Sequence, residues 1–419
     1  MSVNQILESQ RDAQNLFKGT SDNVVNYSEP RSKWVTEDAI TADLIKVGPR
    51  ETPRWGGRLT FEVNQADSLK TLWLRYDLPT QTGASNVLPA FPGLNAIASY
   101  RIMWGNNEIY SVTNYQACMQ ALLSVQPDGV RRLVMNATQG NGGSGVLADV
   151  ATSVISPIPF IFDPLVARSK AEAADMRNVA GRLRCEIVFR SITDFYGATA
   201  AITTNAAFQD INMYYTAQVF SQNRATDSVV PTSSLREKMI FKSVDIQTTP
   251  YAEAPASNAA ATLDLTAFVG PARAIGIYML KDTLADVDNG DAEFQRTIYP
   301  RSCRLLVAGR EFYRMDTDVA TSLAGPLMEY ASFAEGNQKS DNDFSLTAPV
   351  TMSSSVFWLP IGVDQETIRS FAGALDITKL NSVQLEVTSG EIGAARAFSA
   401  VILTDANFEI MDRGMEKVK

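Results

Sequence analysis

The chain has 419 residues, of which 45% are apolar and 20% charged, with a formal net charge of −9 and no histidine. That length accommodates two or three domains with real cores, and the scattered lysines and arginines form no basic face for nucleic acid. Without histidine, Ser-His-Asp and Cys-His nucleophile systems and most zinc sites are excluded.

The opening stretch, MSVNQILESQRDAQ, is polar and does not read as a signal peptide. Residues 3–17 predict a short amphipathic helix, with Val3, Ile6, Leu7, Ala13 and Leu16 roughly on one side. Residues 18–56 are rich in turn formers, and 1–56 as a whole reads as an N-terminal arm. From Arg58 the period becomes strand-like: Leu59, Phe61 and Val63 alternate with polar residues, as do Leu72, Leu74 and Tyr76. Arg101–Trp104 reads as a strand, Gly105–Asn107 as a tight turn and Glu108–Val112 as the returning strand. Residues 113–125 fit a helix capped by Thr113 or Asn114. A glycine-rich loop is expected over 136–148 and a proline-bracketed strand in 156–165. A helical turn is expected in 166–180, and strands at Leu183–Phe189 and Ile211–Phe220.

The second half replays this order. Strands are expected at Met239–Gln247, Thr262–Leu265 and Arg273–Leu280, then a hairpin at 303–315 and a helix at 316–328. Further strands follow in 354–361, at Val383–Thr388, Phe398–Leu403 and Asn407–Met411. The hairpins match without a gap. Ser99, Arg101, Glu108, Tyr110 and Ala117 recur as Ser302, Arg304, Glu311, Tyr313 and Ala320, at an offset of 203 residues. Ile109 aligns with Phe312, and Glu186 with Glu386 occupy comparable strands. That period is far beyond the roughly 20–50 residues of solenoid units, so a whole domain is duplicated.

The expected fold is therefore all-β: two consecutive eight-stranded jelly-roll sandwiches with short helices in connections. The boundaries are arm 1–56, first sandwich 57–222, linker 223–235, second sandwich 236–412 and tail 413–419.

Residues that suggest other chemistry have a plainer reading. Cys118, Cys185 and Cys303 lie far apart in apolar or alternating stretches and read as buried free thiols, consistent with synthesis in a reducing cytoplasm. Gly140–Gly145 fits GxGxxG with Asp163 near the spacing of a ribose-binding acid, but no strand-to-helix unit surrounds it. Asp282, Asp286, Asp288, Asp291 and Glu293 form an acidic loop whose EF-hand register fails. Glu186 and Glu386 would sit in separate sandwiches, unlike two carboxylates flanking one glycosidic bond. Trp55, Trp73, Trp104, Trp358, Phe160 and Phe162 read as packing residues, with sugar stacking as the rival. Asn136–Thr138 matches a glycosylation sequon that would go unused without secretion. No catalytic, cofactor-binding or metal residue is assigned, and no cofactor is expected.

The ordered series of motifs resembles the double jelly-roll major capsid proteins of icosahedral DNA viruses, often membrane-containing. These include phages and nucleocytoplasmic large DNA viruses. The hairpin and helix at 99–125, Pro159–Leu165 followed by Leu183–Arg190, and LTAFVGPARAIGIYML at 265–280 carry the likeness. Arg304–Met315, Val356–Pro360, Val383–Val387 and AVILTDANFEIMDRG at 400–414 continue it. The resemblance implies a non-enzymatic shell protein forming pseudo-hexagonal homotrimers. These would meet neighbouring trimers and minor capsid and vertex proteins, with no specific nucleic-acid recognition. It places the protein in the virion. The arm has two readings: packing beneath its own or a neighbouring subunit, or contact with an internal membrane through its helix. The rival function is a carbohydrate- or receptor-binding spike or lectin-like double sandwich.

Overall fold

The computed structural model describes residues 41–411 and a strand at 414–418; among the internal stretches it leaves aside, the longer are 141–151, 198–207, 220–238, 317–350 and 362–374. The expected helix at 3–17, residues 317–328 of the helix expected at 316–328, the linker 223–235 and Phe162 lie outside the described residues, and Asp316 belongs to a strand.

Among the described residues, sixteen strands form the main ladders of four antiparallel sheets, with shorter strands added at their edges and a separate two-stranded pair of Arg296–Ile298 with Thr351–Ser353. In the first half they are β1 (Thr41–Val47), β2 (Arg58–Val63), β3 (Ser68–Leu78), β4 (Ile97–Trp104), β5 (Asn107–Val112), β6 (Thr152–Pro157), β7 (Leu183–Phe189) and β8 (Gln209–Val219). In the second they are β9 (Met239–Thr248), β10 (Ala261–Asp264), β11 (Pro271–Met279), β12 (Ser302–Val307), β13 (Arg310–Asp316), β14 (Phe357–Pro360), β15 (Val383–Thr388) and β16 (Arg396–Met411). The first half forms sheets ordered β1–β8–β3–β6 and β2–β7–β4–β5. The second forms β9–β16–β11–β14 and β10–β15–β12–β13. Each strand of the first half thus has its counterpart eight strands later, in the same place of the same sheet. The expectation of two eight-stranded jelly rolls holds.

Period-2 patterning makes these sheets. In β3, Leu72, Leu74, Tyr76 and Leu78 are buried while Thr71, Trp73, Arg75 and Asp77 are half-buried. In β7 and β15 every second residue is buried from Leu183 to Phe189 and from Val383 to Val387. Strand β11 departs from alternation: Ala272 to Met279 are buried throughout. Ile275, Ile277 and Met279 enter the second sandwich's core, whereas Ala274 and Tyr278 join the core of the first. A strand covered on both faces reads as a continuous apolar run.

Among the described residues, five short α-helices sit in connections: α1 (Pro92–Asn95), α2 (Tyr115–Ser124), α3 (Asp128–Gln139), α4 (Ile192–Tyr196) and α5 (Leu284–Asp288). Asn114 is the cap of α2, its Oδ1 accepting from the Ala117 backbone N–H at 3.1 Å. All ten residues of α2 are buried.

Several elements differ from the sequence reading. Thr41–Val47, within the stretch read as an arm, pairs along its whole length with Val219–Met213 as an edge strand. Residues 136–139, expected to open a glycine-rich loop, are instead the last residues of α3 (Asp128–Gln139). The buried side of α3 is Val134 and Thr138, and the exposed Leu133 hides the helical period. Gly140 stops this helix at φ +74°, where glycine carries no steric penalty. The strand expected in 156–165 runs instead from Thr152 to Pro157, because Pro157 and Pro159 offer the ladder no N–H. Within 166–180 the described pair Ala174–Asp175 is extended and pairs with Ser68–Leu69, not helical. Strand β16 is one element of 16 residues where two were expected. Residues 414–418 turn back onto it.

Candidate functional site

The repeated hairpins share pairing and register. Both carry the same bulge: Ile102 opposes Tyr110 but Met103 opposes Glu108, and Leu305 opposes Tyr313 but Leu306 opposes Glu311. Ile109 and Phe312 are thus the extra residues of the two bulges. Both turns have two residues and use positive φ, at Gly105 (+62°) in one and at Ala308 (+48°) and Gly309 (+75°) in the other.

Behind each bulge stands the same ion cluster. Arg101 lies opposite Glu186 and donates from Nε to its Oε2 at 2.7 Å, with Glu108 3.8 Å from Nη1. Arg304 lies opposite Glu386 and donates from Nε at 2.9 Å, with Glu311 3.9 Å from Nη1. Arg58 approaches Glu186 at 3.5 Å from the other side. The two glutamates lie on the outer faces of two different sandwiches, each answered by its own arginine. This is a cross-strand register lock, not a pair of carboxylates facing one substrate. Sequence reasoning matched the glutamates; the arginine partner became visible only with the register.

The junction between the sandwiches was not legible as a site. Helix α2 lies between the first core and the outer face of β9–β16–β11–β14. Trp358 of β14 donates from Nε1 to Ser124 Oγ at 2.9 Å. Gly276 of β11 lets the ring lie flat on the strand, since a Cβ there would meet Val356 Cγ1 at 2.6 Å and Trp358 Cζ3 at 2.9 Å. At the start of α2, Thr113 Oγ1 donates to the Thr248 carbonyl at 2.7 Å, and the Asn114 backbone N–H donates to Thr248 Oγ1 at 3.0 Å. Gln116 Oε1 accepts from Arg190 at 2.5 Å and from Tyr251 at 3.3 Å, while its Nε2 donates to Asn95 at 3.1 Å. Burial pushes the Tyr110, Tyr115 and Tyr278 phenols well above their ordinary pKa, so they stay neutral. The pairs that cross the junction, Thr113 and Asn114 with Thr248, Gln116 with Tyr251 and Ser124 with Trp358, are more than a hundred residues apart in sequence, and no local pattern announces them.

The other sequence candidates are placed plainly. Trp55, Trp104 and Trp358 are buried, as is Phe160, and none is offered to a sugar; Trp73 is half-buried on the outer face of β3. Gly140 ends a helix instead of starting one, so it offers no N-terminal amides to a phosphate. Asp163 is buried and its Oδ1 accepts from the Leu165 N–H at 2.8 Å. Asp286 makes a reciprocal cap with Thr283, whose backbone and hydroxyl donors hold its carboxyl below the usual range. Residues 289–293 of that acidic loop lie outside the described residues. Among the described residues no cluster of three His, Cys, Asp or Glu side chains is placed to hold a metal, and no helix is long and apolar enough to cross a membrane. Cys118, Cys185 and Cys303 are buried free thiols, the first two pushed up in pKa by burial.

No family model and no curated protein sequence matches the chain. Solved structures do. The chain matches the PBCV-1 virus capsid with a TM-score of 0.68 at 11% identity, over 91% of this chain and 97% of that one. The fold is the double jelly roll. The Faustovirus major capsid protein shares it with a TM-score of 0.56 at 10% identity, over 97% and 98% of the two chains. So does the Sputnik virophage structure, with 0.55 at 12% identity, over 91% and 88%.

Proposed function

We propose that this chain is the main shell subunit of an icosahedral virus, with no catalytic role. One observation carries the reading: a complete eight-stranded sandwich is duplicated in one chain, in the arrangement seen over nearly the full length of solved capsid chains. Two similar bodies in one subunit let three subunits make a pseudo-hexagonal block, and closed rings are the common solution for self-associating chains. The shell is then held by many modest interfaces repeated by symmetry, so no single residue is a site.

In this reading the first sandwich comprises 57–222 together with the edge strand Thr41–Val47, the second comprises 236–412 together with the strand Gly414–Val418, and 223–235 joins them. The arm faces inward, towards neighbouring subunits or an internal membrane, with Thr41–Val47 anchoring it to the first sheet. Other partners are neighbouring trimers and minor capsid and vertex proteins. Assembly follows synthesis in the host cytoplasm, and the protein ends in the virion. A sugar-binding role has less support, because the aromatic residues that would stack on a ring are mostly core.

The test is the native mass of the purified full chain, alone and with other components of its virus. Trimers that enlarge into closed particles are expected. A monomer under every condition, or micromolar binding on a glycan array, would overturn the reading.

A further inference from the structure

The sheet β9–β16–β11–β14 has an opening that its counterpart lacks. In the first sandwich, β3 pairs with β8 from Gln209 to Gln218, all but the last residue of that strand. In the second, β11 pairs with β16 only from Phe398 to Thr404. Pro271 opens β11 and has no N–H with which to carry the ladder further. Strand β16 nevertheless runs on to Met411, with β9 along one edge as far as Ile410. Its other edge would be left with unpaired backbone N–H and C=O groups. The strand Gly414–Val418 fills that edge, pairing Met411 with Gly414 and Asn407 with Val418.

The added strand also reaches the other sandwich. It borders β5 and β4 of the first sandwich. Strand β5 meets β9 as well, and β9 and Gly414–Val418 flank β16 on opposite edges. Strand β5 therefore crosses this sheet, and the added strand widens by one the platform on which it rests. The two ends of that platform are held differently. At one end, where Thr248 pairs with Val401, Thr113 and Asn114 beyond β5 are hydrogen-bonded to Thr248. At the other, where β16 runs from Asn407 to Met411, Gly414–Val418 supplies the contact with the first sandwich.

We propose that Gly414–Val418 is a strap that couples the second sandwich to the β4–β5 hairpin of the first, so that the two move as one body. The strap acts within a single chain and does not depend on the shell reading above. Its seat is ready-made, because the early end of β11 leaves a strand-wide place on β16 beside β5. Release of the strap frees the Met411 end of the joint while Thr248, and Trp358 with its bond to Ser124, still hold the rest. A joint held at one end and freed at the other is a hinge.

The experiment follows native-state hydrogen exchange by mass spectrometry in the full chain, in a chain lacking residues 412–419, and in Glu416→Pro, which cannot donate to the ladder at that position. In both variants the amides of Asn107–Val112 are expected to exchange about tenfold faster, while those of β15, inside the second sandwich, stay unchanged. A synthetic peptide of residues 412–419, added in excess to the shortened chain, should restore the protection of Asn107–Val112. Faster exchange confined to β16, with Asn107–Val112 unaffected, would mean that the strand only completes its own sheet and would overturn the proposal. Should the shortened chain fail to fold, the wild type in rising, sub-denaturing urea decides. Gly414–Val418 and Asn107–Val112 are expected to lose protection together; loss at Gly414–Val418 alone, with Asn107–Val112 still fully protected, would overturn the proposal.

Discussion

The outer faces of two matched sheets, β9–β16–β11–β14 and β1–β8–β3–β6, share strand order and pairing but not chemistry. The first bears Ala274, Gly276, Trp358, Val401 and Leu403 and is sealed beneath α2. The second bears Trp73, Arg75, Asp77 and Tyr214 and stays half-exposed. Duplication preserved the scaffold, and each face then took the residues its neighbour demands. The sealed face is dry and small-residue, so a helix can lie close. The open face keeps charged side chains, among them Arg75, whose Nε donates to Ser153 Oγ at 3.3 Å.

The largest expected effect exploits the tyrosines gathered on one side of this comparison. Tyr100, Tyr110, Tyr115 and Tyr278 belong to the first core and the junction, and burial raises all four. The folded state holds their protons longer than the unfolded chain does. Their contribution is therefore complete below an unfolded pKa of about 10 and is lost as pH rises above it. Each should cost about 1.4 kcal/mol per pH unit there. Denaturant unfolding at pH 9 and pH 11 checks this, with the first sandwich and junction expected to fail first. No tyrosine is fully buried among the described residues of the second core.

Trp358→Ala should cost about 3–5 kcal/mol, because it leaves a cavity and removes the donor to Ser124. Trp73→Ala, on the matched open face, should cost well under half as much, since its ring is only half-buried. Equal losses in chemical denaturation would break the contrast between the faces. The bulge pair gives a narrower version. Ile109→Ala should cost about 2–4 kcal/mol, and Phe312→Ala should stay within about 0.5 kcal/mol in the isolated subunit. Gly276→Ala should destabilise by about 1–3 kcal/mol through overpacking against Trp358. It should also shift the tryptophan emission. The smallest effect belongs to the ion clusters that both halves share. Arg101→Ala and Arg304→Ala should each cost no more than about 1 kcal/mol, because the arginines are more than a third exposed. The two losses should be alike.

Local pattern made much of this fold legible. Leu59, Phe61 and Val63, the two hairpins, and Leu183–Phe189 announce themselves by alternation and turn residues, which are properties of neighbours in sequence. The repeat at 99–117 and 302–320 fixed the duplication before any strand was paired. What stayed hidden depends on distant partners. Strand β1 looks irregular until Gln209–Val219 pairs with it. Strand β16 looks broken at Thr404 and Asp405, yet both stay within the ladder, and Thr404 Oγ1 accepts from Gln247 at 2.9 Å. Helix α3 was obscured because Leu133 faces outwards. The junction was least legible of all: Gln116, Ser124 and Thr248 are ordinary polar residues in sequence, and only the packing of one sandwich on the other gives them partners.

A three-dimensional reconstruction of the assembled protein by electron microscopy tests the central claim most directly. It should show six sandwich-sized densities in a ring built from three chains. A two-fold dimer, or a particle built from isolated monomers, would contradict it.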